Sequence, residues 1–529
     1  MSALLETPTL VRGNGISRWL RGVRSSPRLA FALSTLSRIL ISLMSLLWTR
    51  LLLAAMGKPL NGLFLSYQSV AQLGGLGDLG MGGAVAIQTG QYLGQGKQEE
   101  LRSFLSATRT VFLLLSLGVG GGFLLLSPWL PRWLGFQSVP GAEPLPLLFA
   151  VGALSVAMLM LSSYVNNLNY ACSTLTWPVI PSFFILQCCL LAHWWLARHN
   201  SPLWLQYFPY VLSALVSLLL AWTYLRISFP NLAALLPLRF DFGLIVSLFE
   251  KSFWVYLCSL GNLIYIATDR LVIQAWFGPE QVPRYQYNYK VCELAVFVIL
   301  NASYVALPKI TQWLATPGAE ARKRVHDSVR RLTQFQALLG CAAAFVYLAI
   351  NDFFMAQWLG SDMQAPLLWQ AAFALNLAVT TSGEAGIEVS TRCGGNGMRV
   401  AGSLVAATGL LNLGLSVLSA RLGSIVGIGF ATVIAQSLLS LGLGFYVCRH
   451  LKLPWVPWVL RTWFAPALAV CLAGAGRKLL PFNSPGNIFI LVVGYTATLG
   501  AFAWLLGITP ALIHEEWMKL RALFRRKVL

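Results

Sequence analysis

Polar and apolar positions along this chain fall into long blocks. Runs of about 20 predominantly apolar residues are separated by short polar or Gly/Pro-containing connections. A backbone surrounded by lipid must satisfy its own hydrogen bonds, so such runs predict membrane-spanning helices. About fourteen candidate spans centre near residues 42, 76, 115, 157, 187, 213, 260, 296, 340, 378, 408, 436, 467 and 496. The pattern predicts an all-α polytopic membrane protein of about 12–14 transmembrane helices, with connections too short to hold a separate soluble domain.

Charge interrupts the apolar pattern at particular places. Two long apolar runs on either side of the turn PEQVPRY carry Glu250, Lys251, Asp269, Arg270, Lys290 and Glu293. An ionisable side chain at mid-bilayer costs roughly 2.5–3.5 kcal/mol, so it faces a polar cavity or a partner. A water-lined path through the membrane is the first expectation. Asp269 and Arg270 are adjacent and point about 100° apart, which predicts one in the cavity and the other between helices. Lys290 and Glu293, three residues apart, are spaced either for a local ion pair or for function. Glu384, Glu388 and Arg392 share one helix face: two acids in low dielectric suggest a proton or sodium site, and pairing with Arg392 is the alternative. The first two spans add Arg38, Arg50 and, among glycines, Asp78, expected to act as a gate ion pair or coupling-ion ligand. Arg38 is the cation best suited to phosphate, since guanidinium makes bidentate hydrogen bonds that Lys does not. Arg50, nearer the end of its span, is placed to snorkel.

Composition agrees with a membrane protein: 57% of residues are hydrophobic and 11% charged, with a mean hydropathy of +0.67. The net charge of +20 raises nucleic acid as a partner, but its distribution argues against it. With both termini cytoplasmic, about 26 Lys and Arg fall on cytoplasmic segments, about 7 outside and about 5 within spans. Topology explains the basicity, and weak attraction to anionic lipids follows from it. No cleavable signal peptide is evident in residues 1–30. The nine cysteines form no CxxC pair and have no His at ligand spacing, so they read as small core residues; no metal site is expected. Gly75, Gly77 and Gly80 match GxGxxG inside an apolar span, where close helix packing or a bend is the better reading. Tyr285, Tyr287 and Tyr289 are spaced to stack sugar rings or to form an interfacial belt.

Two halves look related. A shift of about 221 positions lays Gly57 on Gly278, Phe64 on Tyr285 and Gln72 on Glu293. The expected organisation is a basic cytoplasmic segment 1–30, a first six-helix lobe 31–226, a linker 227–243, a second six-helix lobe 244–448, two further helices in 449–510 and a basic interfacial tail 511–529. Parallel repeats of this kind enclose a central cleft, and rocking one against the other gives alternating access.

The stretches MGKPLNGLFLSYQSVAQLGGLGDLGMGGAVA, ATDRLVIQAWFGPEQVPRYQYNYKVCEL followed by LPKITQWLA, and GIGFATVIAQSL resemble polysaccharide-type flippases of the multidrug/oligosaccharidyl-lipid/polysaccharide (MOP) exporter superfamily. That family includes the Wzx O-antigen flippases and, more distantly, the lipid II flippase. The resemblance implies a bacterial inner-membrane transporter, not an enzyme, that moves polyprenyl-pyrophosphate-linked oligosaccharide from the cytoplasmic to the outer leaflet for polysaccharide assembly. It also implies a cavity lined by helices one, two, seven and eight, with Asp78 and Asp269–Arg270 at family positions. The substrate's pyrophosphate is assigned to Arg38, Arg270, Lys290 and Lys251. The gate or a coupling H+ or Na+ is assigned to Asp78, Asp269, Glu293, Glu384 and Glu388. Partners would be the lipid-linked oligosaccharide, membrane lipids, and polysaccharide polymerase and export machinery. The embedded acids and bases are nearly balanced, which keeps open a cation-coupled multidrug exporter on the same fold. An integral-membrane polymerase or ligase should carry a large outer loop with acidic residues, and the outer loops here are short.

Overall fold

The computed structural model describes the backbone of residues 27–74, 77, 80–95, 97–136, 139–171, 176–228, 242–315, 318–393, 396–479 and 485–505. The expected basic termini 1–30 and 511–529, apart from the start of the first helix, and most of the linker 227–243 lie outside the described residues.

Each long apolar run forms a helix. In order they are α1 (Pro27–Gly74), α2 (Met81–Gln95), α3 (Gln98–Leu126), α4 (Leu145–Ala171), α5 (Thr176–Arg198), α6 (Leu203–Ser228), α7 (Phe242–Phe277), α8 (Gln281–Ala315) and α9 (Ala319–Trp358). They continue with α10 (Leu367–Ser390), α11 (Gly397–Arg421), α12 (Ile425–Leu451), α13 (Trp455–Leu479) and α14 (Pro485–Leu505). Eight helices among the described residues are long and apolar enough to cross a membrane. Of the span expected near residue 76, helix is described up to Gly74 and again from Met81, and residues 75, 76, 78 and 79 lie outside the described residues.

Helix ends follow local chemistry. α1 is two helices joined at Gly57, whose φ of 72° and ψ of 169° are non-helical. Pro59, without an N–H, starts the second of them at little cost. α7 and α8 are separated at Gly278, with φ of 86°, followed by Pro279. The two glycines that the repeat lays on one another both have a positive φ.

The chain divides into two compact units: Met1–Met56, Gly77–Leu130 and Pro140–Ser252 in the first, and Gly57–Leu76, Pro131–Val139 and Phe253–Leu529 in the second. In the first, α4 packs on α3 and α6, and α5 on α6. In the second, α10 packs on α9 and α12, and α11 on α12, the same order six helices later. The first unit's core gathers Phe112, Tyr164, Leu168 and Leu225. At Gly77 a Cβ would lie 2.6 Å from Val119 Cγ2, so this member of the GxGxxG run serves helix packing.

In the second unit, small residues bring backbones together. A Cβ on Gly261 of α7 would strike the Val405 carbonyl of α11, and one on Gly409 would lie 2.6 Å from the Gly261 carbonyl. The segment after Gly57 packs in the same way, since Gly62 abuts the Pro279 carbonyl. Polar contacts hold it there: Tyr287 donates to Asn61 Oδ1 at 2.5 Å, Ser66 Oγ donates to the Arg270 carbonyl at 3.5 Å, and Lys58 pairs with Asp362. α13 and α14 cover this unit too. Arg477 of α13 pairs with Asp352 of α9 at 2.5 Å, and Gln370 of α10 donates to the other carboxylate oxygen at 2.5 Å. The eight described cysteines are unpaired thiols.

Candidate functional site

The second unit holds a cavity whose wall includes Asp269 and Arg270 of α7, Tyr285, Tyr289 and Glu293 of α8, and Asn376 of α10. The apolar spans of α7, α11 and α12 place Asp269 out of reach of bulk water, at 6% exposure. Four uncharged groups meet its carboxylate. Thr432 Oγ1 donates at 2.9 Å, Ser416 Oγ at 3.1 Å, Tyr285 OH at 3.2 Å and Asn412 Nδ2 at 3.3 Å. Asn412 and Ser416 are four apart on α11, so one helix face delivers both.

A second set of polar groups continues from this cluster. Tyr265 OH donates to Asn376 Oδ1 at 3.0 Å, and Asn376 Nδ2 donates to Tyr289 OH at 3.2 Å. Two buried polar atoms at the site lack a hydrogen-bond partner among the described residues: Asn412 Oδ1 and Arg270 Nε. Burying a charge or an amide oxygen unsatisfied costs stability, so such groups mark a place where the fold serves something other than itself.

The remaining expectations sort by geometry. Asp269 and Arg270 line the same cavity, which corrects the division of the pair between cavity and helix interface. Lys290 pairs with Glu293 at 2.9 Å, the local ion pair their spacing allows. Glu388 pairs with Arg392 at 2.6 Å, which is the alternative stated for that face. Glu384, one turn earlier, is half-buried and has no hydrogen-bond or ion-pair partner among the described residues. Asp78 and the side chains of Arg38 and Lys251 lie outside the described residues. Glu250 and Arg50 are exposed. Neither Tyr285 nor Tyr287 belongs to an interfacial belt: both are buried, and each hydroxyl donates to an acceptor inside the unit.

Outside the spans, the Lys58 ammonium donates to Asp362 and holds its carboxyl below the usual range. Asn376, Asn412, Ser416 and Thr432 escaped the sequence reading. Their only signal was a polar residue in an apolar run, and many such residues merely cap their own helix, as Thr408 does by donating to the Leu404 carbonyl.

Around the Asp269 carboxylate stand three hydroxyls and the Asn412 amide N–H. Carboxylate and hydroxyl oxygens are hard ligands, which suit a proton or an alkali cation better than a soft transition metal. Among the described residues, no group of three or more His, Cys, Asp or Glu side chains converges as a metal site.

The described chain is a bundle of long apolar helices with acidic and basic groups buried in its second unit. No family model matches the sequence, and no curated protein matches it. Solved structures do. The lipid II flippase MurJ, in an inward closed conformation, is 14% identical with a TM-score of 0.62, covering 89% of this chain and 98% of that one. An inward-facing multidrug resistance MATE family transporter of the MOP superfamily is 11% identical with a TM-score of 0.60, over 82% of this chain and 98% of that one. An outward-facing conformation of a MATE family transporter is 13% identical with a TM-score of 0.56 over the same shares. At these identities the likeness is one of fold.

Proposed function

We propose that this protein is a transporter, not an enzyme, that moves polyprenyl-pyrophosphate-linked oligosaccharide from the cytoplasmic to the outer leaflet of a bacterial inner membrane, with both termini cytoplasmic. The observation that carries the choice of substrate is the likeness to the lipid II flippase, which extends over 89% of the chain against 82% for the MATE transporters. Arg270 is the described cation best placed for pyrophosphate, because its Nε is buried without a partner and guanidinium binds phosphate bidentately. Lys290 can join it on release from Glu293; Arg38 and Lys251 complete the proposed set.

Asp269 is the proposed coupling-cation site. A proton or sodium ion taken up there supplies the charge that neutralises a carboxylate otherwise faced only by neutral donors. Thr432, Ser416, Tyr285 and the Asn412 amide N–H hold the carboxylate in place, and the Asn412 oxygen, at the other end of that amide, has no partner among the described residues. Glu384 is a second acid free to bind a cation, while Glu388 is committed to Arg392. A potential negative inside drives an anionic substrate outward, by roughly 2.3 kcal/mol per charge per 100 mV. Polymerase and export machinery would then take the glycan at the outer leaflet.

The same acidic site also supports a second reading, a cation-coupled exporter of organic cations. The two separate in one assay: translocation of a fluorescent polyprenyl-pyrophosphate glycan in proteoliposomes, with and without an imposed potential. Protein- and potential-dependent translocation is expected. Failure with several such lipids, together with efflux of an organic cation, would replace the flippase by the drug exporter.

A further inference from the structure

The second unit has another cavity, built from parts that the proposed transport site does not use. Val329 and Arg330 of α9, Leu453 after α12, and Pro457, Trp458 and Arg461 of α13 form most of its wall.

Position along the helices sets its depth in the membrane. α9 carries Arg322, Lys323, Arg324, Asp327, Arg330 and Arg331 in its first turns, and from Leu332 it has no charged residue until Asp352. α12 ends on Arg449 and His450, with Lys452 next. The cavity therefore opens where apolar spans give way to basic chain, on the side that the excess of Lys and Arg marks as cytoplasmic. Trp455 and Trp458, stacked with ring centres 5.6 Å apart, suit that level.

The walls are fixed. Trp458 is wedged against Gly444, where a Cβ would collide with the indole ring. Arg461 and Thr462 belong to a π-helical turn, Leu460–Phe464, inside α13. Such turns are rare and recur at functional sites. Thr462 Oγ1 donates to the Trp458 carbonyl at 2.8 Å. Arg330 and Arg461 both reach the cavity, and neither has a hydrogen-bond or ion-pair partner among the described residues. Two unpaired guanidiniums above an apolar wall call for a ligand with an anionic head and a hydrocarbon body.

We propose that this cavity is a binding site for an anionic glycerophospholipid of the cytoplasmic leaflet. Arg330 and Arg461 hold the phosphate, and the first part of an acyl chain lies along Leu453, Pro457 and Trp458. A free phosphate would leave the apolar wall unused, and a zwitterionic lipid would bring its own cation to two that are already there. Because the site joins α9 to α13, bound lipid fastens α13 to the second unit.

The test is thermal unfolding of the purified full chain in nanodiscs of phosphatidylcholine alone or with a minority of phosphatidylglycerol. The unfolding midpoint should rise with phosphatidylglycerol, as for any ligand that binds only the folded state. The double variant R330Q/R461Q should lose more than half of that rise. R322Q/K323Q, which removes the same charge from α9 outside the cavity, should keep it. An equal rise in R330Q/R461Q, an equal loss in R322Q/K323Q, or a rise of the same size with inorganic phosphate in phosphatidylcholine discs would each overturn the proposal. So would displacement of phosphatidylglycerol by a small amount of polyprenyl phosphate, which would make the site one for substrate. Should R330Q/R461Q fail to fold, quenching by phosphatidylglycerol with brominated acyl chains gives a second reading. Wild-type fluorescence should be quenched beyond that of Trp458→Phe, and equal quenching of the two would count against the site.

Discussion

At Asp269 a single carboxylate decides the character of the site. Four hydroxyl or amide groups donate to it, and no Lys or Arg forms an ion pair with it among the described residues. Hydrogen bonds to a charged group are worth roughly 1.5–3 kcal/mol each, so they offset much of the desolvation of the anion, and the proposed coupling cation would add to them. Asp269→Asn keeps the shape and removes the charge. Cation-dependent transport in proteoliposomes should fall at least about tenfold, while yield and monodispersity stay near wild type. Asp352→Asn instead removes the half-exposed carboxylate that pairs with buried Arg477, and should lower the unfolding temperature while leaving the cation dependence in place. Cation dependence that survives Asp269→Asn would move the coupling site elsewhere, with Glu384 the next candidate.

Helices are where backbone proximity takes over from side-chain chemistry. The second unit brings α7 onto α11, and the segment after Gly57 onto the start of α8, at glycines whose missing Cβ is the contact itself. Gly62→Ala puts a methyl group against the Pro279 carbonyl, in backbone that cannot swing aside. Overpacking of this kind costs about 1–3 kcal/mol. The unfolding temperature of Gly62→Ala should drop by several degrees, whereas Gly83→Ala, with open space around it, should change little. Equal melting of the two variants would mean that the 57–76 segment is not held where it is described. The Lys58–Asp362 pair belongs to the same contact, but both side chains are substantially exposed, so it adds little to stability at any pH.

On the scale of the whole molecule, topology is the first quantity to test. Reporter fusions should place residue 318, between α8 and α9, on the same side of the membrane as the end of the chain, and residue 360, between α9 and α10, on the other. Reversal would invert the direction of transport proposed here. Much of this scale was legible without coordinates. Apolar runs of bilayer length can only be helices, because lipid offers the backbone no hydrogen bonds, and the paired glycines at 57 and 278 marked where two of them turn back. Local spacing also sufficed for Lys290–Glu293 and Glu388–Arg392, since residues three or four apart on a helix are neighbours whatever surrounds them. The surroundings of Asp269 were of another kind. Asn412, Ser416 and Thr432 lie 143, 147 and 163 residues further along, and nothing in their own runs sets them apart from polar residues that bond to their own helix. The chain by itself determined an all-helical membrane protein with embedded charge. Only tertiary packing decided which distant hydroxyl and amide groups meet Asp269, because contacts between helices depend on how their faces meet.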